Sequence, residues 1–351
     1  MPEHTLKVAV AVTLDDASAD RIRALEPRVE LLRDPALTRP WRWSGDWEGD
    51  PDWERTPEQQ AAFEALLDGA DALFGLPDVD PAALARTVRA NPRLRWVHTT
   101  AAGGGGQVRK AQLTQDELER VAVTTSAGMH ATTLAEWALF GVLAGAKGLR
   151  RLEADQASRT WGDGRRIMRH VGEMTVLVVG LGGIGKVVVE RFAGLGATVW
   201  GTTRRGEPVA HVDRLVHIGD LAEAAAEVDA IVVTLPGTER TEGLVGAEVL
   251  AAVRPDTILV NVGRGTVVDE EALLDALDAG RIGFAALDVT AVEPLPVESR
   301  LWEHPRVLLS PHTAALSTQE PRRIAELFAA NATRLLDGAP LENVMDTKEF
   351  Y

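Results

Sequence analysis

Cysteine is absent from the 351 residues, which excludes disulfides and thiolate chemistry. A chain of this kind fits a reducing cytoplasm, and a cytoplasmic protein is the expectation. Long apolar runs are also missing, and none approaches the ~20 residues that a membrane span needs. The N-terminal MPEHTLKVAVAVTLDD carries one Lys and a short apolar run closed by Asp15 and Asp16. That is the layout of a first β-strand and lacks that of a signal peptide. Positive charge is scarce, with 37 Lys and Arg against 52 Asp and Glu and a formal net charge of −15. Such a surface repels a phosphate backbone and argues against nucleic acid as a partner. It leaves anionic small molecules open, because the charge inside a site can oppose the global one. No His/Asp cluster has metal-ligand spacing, so no metal is expected.

What the chain does have is length and pattern. Its size suits two domains, each able to bury a core, and its 45% hydrophobic and 25% charged content is that of a globular protein. Runs of Val, Ile and Leu alternate with Ala/Leu/Glu-rich stretches of helical period, the βαβα signature of parallel sheets covered by helices. In the first third, strands are expected at Lys7–Thr13, Val29–Arg33, Ala72–Gly75, Leu94–Thr100 and Val121–Thr125. Helices are expected near Asp16–Glu26, Glu58–Leu67 and Pro81–Ala90. A second series of strands begins at Val176–Val179 and continues at Thr198–Thr202, Ala230–Leu235, Ile258–Val262, Phe284–Val289 and Val307–Ser310, enough for a complete doubly wound domain. Two further helices, about Thr132–Ala157 and Glu320–Leu336, read as bridges between the domains, the last returning to the first. The expected fold class is therefore α/β with two doubly wound parallel-sheet domains. Residues 1–128 and 318–351 would form a discontinuous substrate domain and residues 129–317 a nucleotide-binding one.

One segment stands apart. Trp41, Trp43, Trp47 and Trp53, four of the nine tryptophans, fall in a stretch that reads as loop. An exposed loop rarely carries so many without a surface to pack on. A lid over a cleft, a dimer contact and a clamp on its own domain are the alternatives.

The most informative string is GLGGIG, Gly180–Gly185, between the apolar run Thr175–Val179 and a helical stretch from Lys186. A lone G-x-G-x-x-G is weak, but a strand before it and a helix after it make the context of a dinucleotide cradle. Gly180 permits the tight turn, Gly182 lets backbone approach a pyrophosphate, and Gly185 allows close helix–strand packing. The helix N-terminus then offers free N–H groups and a positive dipole end to the phosphates. Gly183 and Ile184 complete the expected contacts. At the end of the next strand, where NAD sites usually place a carboxylate, stand Thr203, Arg204 and Arg205. A hydroxyl and two guanidiniums suit a 2′-phosphate, so NADP is expected over NAD. Both arginines as solvated loop charges, with either cofactor accepted, is the alternative.

Downstream, Asn261-Val-Gly-Arg-Gly, Asp288-Val-Thr-Ala-Val-Glu-Pro-Leu-Pro and Ser310-Pro-His-Thr-Ala-Ala supply an arginine, a glutamate and a histidine in that order. Together with GLGGIG and Leu235-Pro-Gly-Thr-Glu-Arg-Thr, the chain resembles the D-isomer-specific 2-hydroxyacid dehydrogenases across its C-terminal two-thirds, and specifically those of glyoxylate/hydroxypyruvate reductase type. The N-terminal part is similar more weakly, through Gly103–Gly106 and Leu134-Ala-Glu-Trp-Ala. The resemblance implies a Rossmann nucleotide domain beside a flavodoxin-like substrate domain. It also implies reduction of a small 2-keto acid with NADPH, or oxidation of the D-hydroxy acid. In that chemistry His312 is the candidate acid, because imidazole titrates near neutral pH. Glu293 would hold its other ring nitrogen, fix the tautomer and favour the imidazolium. Arg264 would polarise the carbonyl and grip the carboxylate in a fork that lysine cannot copy.

Further roles follow from the resemblance alone. Ala102, Gly103 and Gly104 would offer backbone N–H groups to the substrate carboxylate. Leu235, Pro236, Thr241, Asn261, Val262 and Gly263 would line the cofactor, and Asp288 would touch the nicotinamide amide. The family often has Asp after the glycine loop, where this chain has Gly105 or Gly106, and Gly where it has Ala315. Homodimers are the family habit, with Leu134, Trp137, Ala138 and Phe140 as one interface; the same residues serve equally as core. The rival readings are a dinucleotide-sensing corepressor-like binding protein without turnover and a dehydrogenase of formate or phosphite.

Overall fold

A strand buried on both faces reads as a continuous apolar run, and such runs pair in parallel when helices cover the sheet. A computed structural model describes residues 5–161, 167–203, 206–348 and 350. The chain divides into two units, residues 1–129 with 316–351 and residues 130–315, each built on one parallel sheet.

The first unit contains β1 (Leu6–Val10), β2 (Val29–Leu32), β3 (Ala72–Phe74), β4 (Trp96–His98) and β5 (Ala122–Thr124), in the order β2-β1-β3-β4-β5. That is the flavodoxin-like order. Several of its helices start where short polar side chains satisfy the free N–H groups. Asp15 accepts from the Ser18 N–H ahead of the helix Asp16–Leu25, Thr56 and Gln59 form a capping box at Pro57–Asp68, and Asp80 accepts from Ala82 at Pro81–Ala90. Alternation along the strands sends Ala9, Leu73 and Val97 toward Phe63, Leu67, Leu84 and Val88 on one face. Val8, Val10, Phe74 and Trp96 go to the other, where Ile324, Ala325, Phe328 and Ala329 of the helix Glu320–Leu336 meet them. Trp96 stacks on Phe328 with ring centroids 4.5 Å apart. Truncating Phe328 to Ala would cost about 3–5 kcal/mol by transfer and cavity terms.

The tryptophan segment clamps its own unit. The Trp47 indole N–H donates to Glu320 Oε1 at 2.9 Å, its ring lies 6.0 Å from that of Phe74, and Trp41 meets it edge-on at 5.3 Å. Arg42 pairs with buried Asp46 and covers Trp43, which stays half exposed.

The second unit orders its seven strands β12-β11-β10-β9-β6-β7-β8. These are β6 (Thr175–Val179), β7 (Thr198–Thr202), β8 (Arg214–Val216), β9 (Ala230–Val233), β10 (Thr257–Asn261), β11 (Ile282–Leu287) and β12 (Val307–Leu309). This is the Rossmann order with one strand added at the β11 edge. The sequence reading did not include β8. It is three residues long at the sheet edge with only Val216 buried, too little pattern to register. The register places Val179, Val233, Asn261, Leu287 and Leu309 in one row at the carboxyl edge. Everything that follows those residues emerges along a single line.

The expected helix Thr132–Ala157 is two, Ala131–Lys147 and Leu149–Ala157, because Gly148 closes the first in a left-handed conformation (φ 67°). Neither Ala131–Lys147 nor Glu320–Leu336 is a bridge; each belongs to one unit, and the chain passes between units just before each begins. Leu134 and Ala138 are core residues of the second unit, whereas Trp137 is half-buried and Phe140 is 46% exposed. Gly141 and Gly145 let this helix sit tight on the sheet, since a Cβ there would come within 2.9 Å of Ala286 and 2.8 Å of Ile258.

Candidate active site

Gly180, directly after β6, has φ 111°, a conformation that side chains rarely adopt. Its N–H donates to Thr202 Oγ1 at 2.9 Å and its carbonyl accepts from Thr234 Oγ1 at 2.6 Å, tying the turn to β7 and β9. A Cβ on Gly185 would lie 1.9 Å from that same carbonyl, so only glycine lets the helix Gly183–Gly194 start there. Gly182 is its N-cap, is exposed, and would meet nothing within 4 Å if it carried a Cβ. No side chain caps the helix. Open space before uncapped N–H groups at a helix N-terminus fits a pyrophosphate. Thr203 follows β7 and is half-buried; Arg204 and Arg205 lie outside the described residues.

Beyond Asn261, at the end of β10, the chain must turn without a helix. Asn261 is 1% exposed and does this with both ends of its amide: Oδ1 accepts from the Gly263 N–H at 3.0 Å and Nδ2 donates to the Arg264 carbonyl at 3.0 Å. Gly263 passes so near Leu235 that a Cβ would be 2.4 Å from its carbonyl oxygen. The turn leaves the Arg264 side chain exposed, its Nη1 donating to the Gly263 carbonyl at 2.7 Å. Among the described residues no carboxylate pairs with it, so the guanidinium keeps most of its donors for another anion. Thr241, one of the expected cofactor contacts, spends its hydroxyl locally. It donates to the Pro236 carbonyl at 2.6 Å and accepts from the Thr238 N–H, closing the turn that follows Leu235.

Asp288, one residue past β11 and 2% exposed, organises the histidine loop. Its Oδ1 accepts from Ser310 Oγ at 2.7 Å and from the N–H groups of Thr313 and Ala314 at 3.0 Å each. Its carbonyl accepts from the His312 N–H at 2.8 Å. These bonds hold His312 at φ 55°, a conformation a non-glycine residue adopts only when its surroundings impose it. Ser310 and Thr313 in this role escaped the sequence reading, since nothing in their spacing betrays a shared partner.

The histidine ring meets Glu293. His312 Nδ1 lies 2.7 Å from Glu293 Oε2, and Glu293 Oε1 accepts from the Thr290 N–H at 3.1 Å. The carboxylate is thus oriented by backbone before it orients the ring. Donation from Nδ1 to a carboxylate leaves Nε2 as the working atom. Both side chains are accessible, at 45% and 38%, so Nε2 is open to a reactant. The structure brings Glu293, His312 and Asp288 into one connected group, and Arg264 stands on the neighbouring strand end without a bond to it.

Ala102, Gly103 and Gly104 belong to the other unit, at the carboxyl end of β4. Gly104 packs on Thr99, whose Oγ1 would be 2.4 Å from a Cβ. Of Gly105 and Gly106, the two positions at which the resemblance would allow an Asp, Gly105 abuts the C-terminal segment, where a Cβ would lie 1.8 Å from the Phe350 carbonyl oxygen, and Gly106 would meet nothing within 4 Å. At Gly105 the tail fills the room a side chain would need.

Known proteins match this arrangement. The family profile "D-isomer specific 2-hydroxyacid dehydrogenase, NAD binding domain" matches residues 139–314, half of the chain. Glyoxylate/hydroxypyruvate reductase B of Yersinia enterocolitica is 38% identical over 50% of this chain and 54% of its own. D-3-phosphoglycerate dehydrogenase of Mycobacterium tuberculosis is 32% identical over 77% of this chain and 52% of its own. Each of these matches spans about half of the relative's length. A D-isomer specific 2-hydroxyacid dehydrogenase of Xanthobacter autotrophicus Py2, solved in complex with NADPH and MES, superposes with a TM-score of 0.76 at 29% identity, covering 99% of this chain and all of that one. With its two parallel sheets and its glycine cradle at the carboxyl edge, the chain belongs to the D-isomer specific 2-hydroxyacid dehydrogenases, NAD(P)-binding oxidoreductases that transfer hydride.

Proposed function

We propose that the protein reduces a small 2-keto acid with NADPH, glyoxylate or hydroxypyruvate being the preferred substrates, and oxidises the D-2-hydroxy acid in reverse. The observation that carries this reading is the 2.7 Å Glu293–His312 pair, held by Asp288 on the same strand edge as the GLGGIG turn. The nicotinamide, when bound, supplies the hydride. His312 Nε2 delivers the proton to the carbonyl oxygen, and Glu293 stabilises the charged ring before transfer and fixes its tautomer throughout. Arg264 draws electron density from the carbonyl and pairs with the substrate carboxylate. The N–H groups of Ala102, Gly103 and Gly104 bind that carboxylate from residues 1–128 and 318–351, the proposed substrate domain; residues 129–317 hold the cofactor. Gly180, Gly182, Gly183, Ile184 and Gly185 take the pyrophosphate, Thr203 with Arg204 and Arg205 the 2′-phosphate. Leu235, Pro236, Thr241, Asn261, Val262, Gly263 and Asp288 shape the walls. The NADPH complex of the Xanthobacter relative supports the cofactor assignment. We further propose a homodimer that covers Phe140, a large apolar side chain left 46% exposed.

The test is oxidation of NADPH and of NADH, followed optically, against glyoxylate, hydroxypyruvate, 3-phosphohydroxypyruvate and a bulky branched 2-keto acid. Turnover of glyoxylate or hydroxypyruvate with higher kcat/KM for NADPH is expected. A preference for the phosphorylated or the bulky acid would overturn the substrate assignment, and equal use of NADH would overturn the reading of Thr203–Arg205. Cofactor binding with no turnover on any of these acids would favour a sensor.

A further inference from the structure

His98 ends β4 and is completely buried, between Phe74, Trp96 and Phe328. Nothing in the chemistry above uses it. Its surroundings nevertheless determine where its proton sits. Ser126 Oγ donates to the Thr99 carbonyl at 3.0 Å, and a hydroxyl has one hydrogen. At the 3.2 Å contact with His98 Nε2 the serine must therefore accept, so Nε2 carries the hydrogen. On the other side, Trp96 Nε1–H donates to Thr124 Oγ1 at 2.8 Å, leaving the threonine hydrogen free. His98 Nδ1, 2.8 Å from the same oxygen, accepts it. The order is Trp96 to Thr124 to His98 to Ser126 to the Thr99 carbonyl, with each donor used once. Burial keeps the ring neutral, its pKa pushed down to about 3, which is the state this order requires.

The relay ends on the loop assigned to the substrate carboxylate. Besides holding the Thr99 carbonyl, Ser126 donates its own N–H to the Ala101 carbonyl at 3.3 Å, and Thr99 Oγ1 donates to that carbonyl at 2.9 Å. In a planar trans peptide the C=O of one residue and the N–H of the next point in opposite directions. Turning the Ala101 carbonyl inward therefore aims the Ala102 N–H away from Ser126 and Thr99. The missing Cβ of Gly104, which would lie 2.4 Å from Thr99 Oγ1, lets the loop fold down onto this anchor.

We propose that His98 is a positioning residue for the substrate: through Ser126 it sets the orientation of the Ala101–Ala102 peptide, and so the aim of the N–H that receives the 2-keto acid's carboxylate. This rests on the assignment of Ala102–Gly104 to that carboxylate. A peptide held in this way adds binding before and during reaction alike, which appears in KM and leaves kcat nearly alone. The relay needs one donor and one acceptor at the ring edge, not an imidazole. Glutamine offers an N–H and a carbonyl oxygen at comparable spacing, whereas leucine offers neither.

The experiment measures steady-state reduction of glyoxylate by NADPH, and oxalate inhibition, in the wild type and in His98→Leu, His98→Gln and Ser126→Ala. His98→Leu and Ser126→Ala should raise the glyoxylate KM and the oxalate inhibition constant about tenfold, with kcat within about twofold and the NADPH KM unchanged. His98→Gln should return both constants to within about twofold of wild type. Ser126→Ala removes a single oxygen atom and stands in if His98→Leu does not fold. Wild-type KM in folded His98→Leu or Ser126→Ala overturns the proposal, as does an equal rise in His98→Gln and His98→Leu. A wild type that neither turns over glyoxylate nor binds oxalate overturns the carboxylate-loop assignment itself, a failure visible before any variant is made.

Discussion

Two histidines stand at the carboxyl edges of the two sheets, and their surroundings are opposite. His98 is buried among aromatic rings and has both nitrogens engaged by hydroxyls. His312 is 45% exposed with one nitrogen on a carboxylate and the other open. Burial without a charged partner removes the imidazolium of His98, whereas His312 keeps a carboxylate on one nitrogen and open access at the other. The same side chain thus serves as fixed scaffold in one unit and as a candidate proton donor in the other. The contrast extends to their neighbours. Polar groups around the first edge close on one another, whereas Arg264 and His312 each keep donors unused.

Arg264→Lys attacks the open edge most severely. It retains the charge but loses the planar fork, and kcat/KM for the keto acid should fall about a hundredfold. A fall below about threefold, measured with folded protein, would mean that the fork is not used. Asp288→Ala comes next. It frees Ser310 and the N–H groups of Thr313 and Ala314, so His312 is no longer held in its left-handed conformation. Turnover should drop about tenfold with NADPH affinity much less changed. An equal loss in both would mean that its contact with the cofactor outweighs its hold on the loop.

On the closed side, Glu26 is 3% exposed and pairs with Arg28 and Thr333. The Arg28 guanidinium, joined by the Thr333 hydroxyl, holds its carboxyl down at about 2, against the desolvation that opposes it. A lowered carboxylate adds stability above its unfolded pKa, near 4.5, that is lost as pH falls toward 2. Glu26→Gln should lower Tm by about 3–6 °C at pH 7, narrowing as the pH approaches 3, and leave the keto-acid KM unmoved. A shift in KM would place Glu26 in the binding machinery. The last prediction concerns the acid response of His98, which touches stability and not turnover. Its pKa falls from 6.5 unfolded to about 3 folded, so below pH 6.5 the unfolded chain takes up a proton that the folded one refuses. Stability is full above pH 6.5 and declines toward pH 3, by up to about 1.4 kcal/mol per pH unit. His98→Gln should flatten that part of the curve, which thermal melts from pH 7 to 4.5 would measure. An unchanged slope would contradict a neutral His98.

Strand positions were legible because parallel, fully buried strands must be apolar throughout. All five of the first unit's expected strands occur, each ending earlier than expected, where residues such as Thr99 and Thr100 leave the ladder to build loops. The edge strand β8 and the break at Gly148 were not legible. One offers a single buried residue, and the other is a lone glycine, which a helix tolerates unless its φ is known. Within the candidate site, the motifs named Arg264, Glu293 and His312, and the structure joins the last two. Their supports were hidden. Asp288 reads in sequence as a cofactor contact, and nothing in the spacing shows that its Oδ1 also takes three donors from the histidine loop. His98 stands in no motif of the sequence, and only its partners reveal the ordered relay. Hydrogen-bond direction depends on which atoms meet, and one-dimensional spacing does not carry that.

The most direct measurement compares His312→Ala with the wild type in two assays on the same preparation: NADPH binding by nucleotide fluorescence, and a stopped-flow turnover with hydroxypyruvate. Binding should be unchanged within about twofold while the hydride-transfer rate falls about 10²–10⁴-fold, the usual worth of a general acid. A variant that turns over like the wild type would contradict the assignment of the proton to His312, and with it the division of labour between the two histidines.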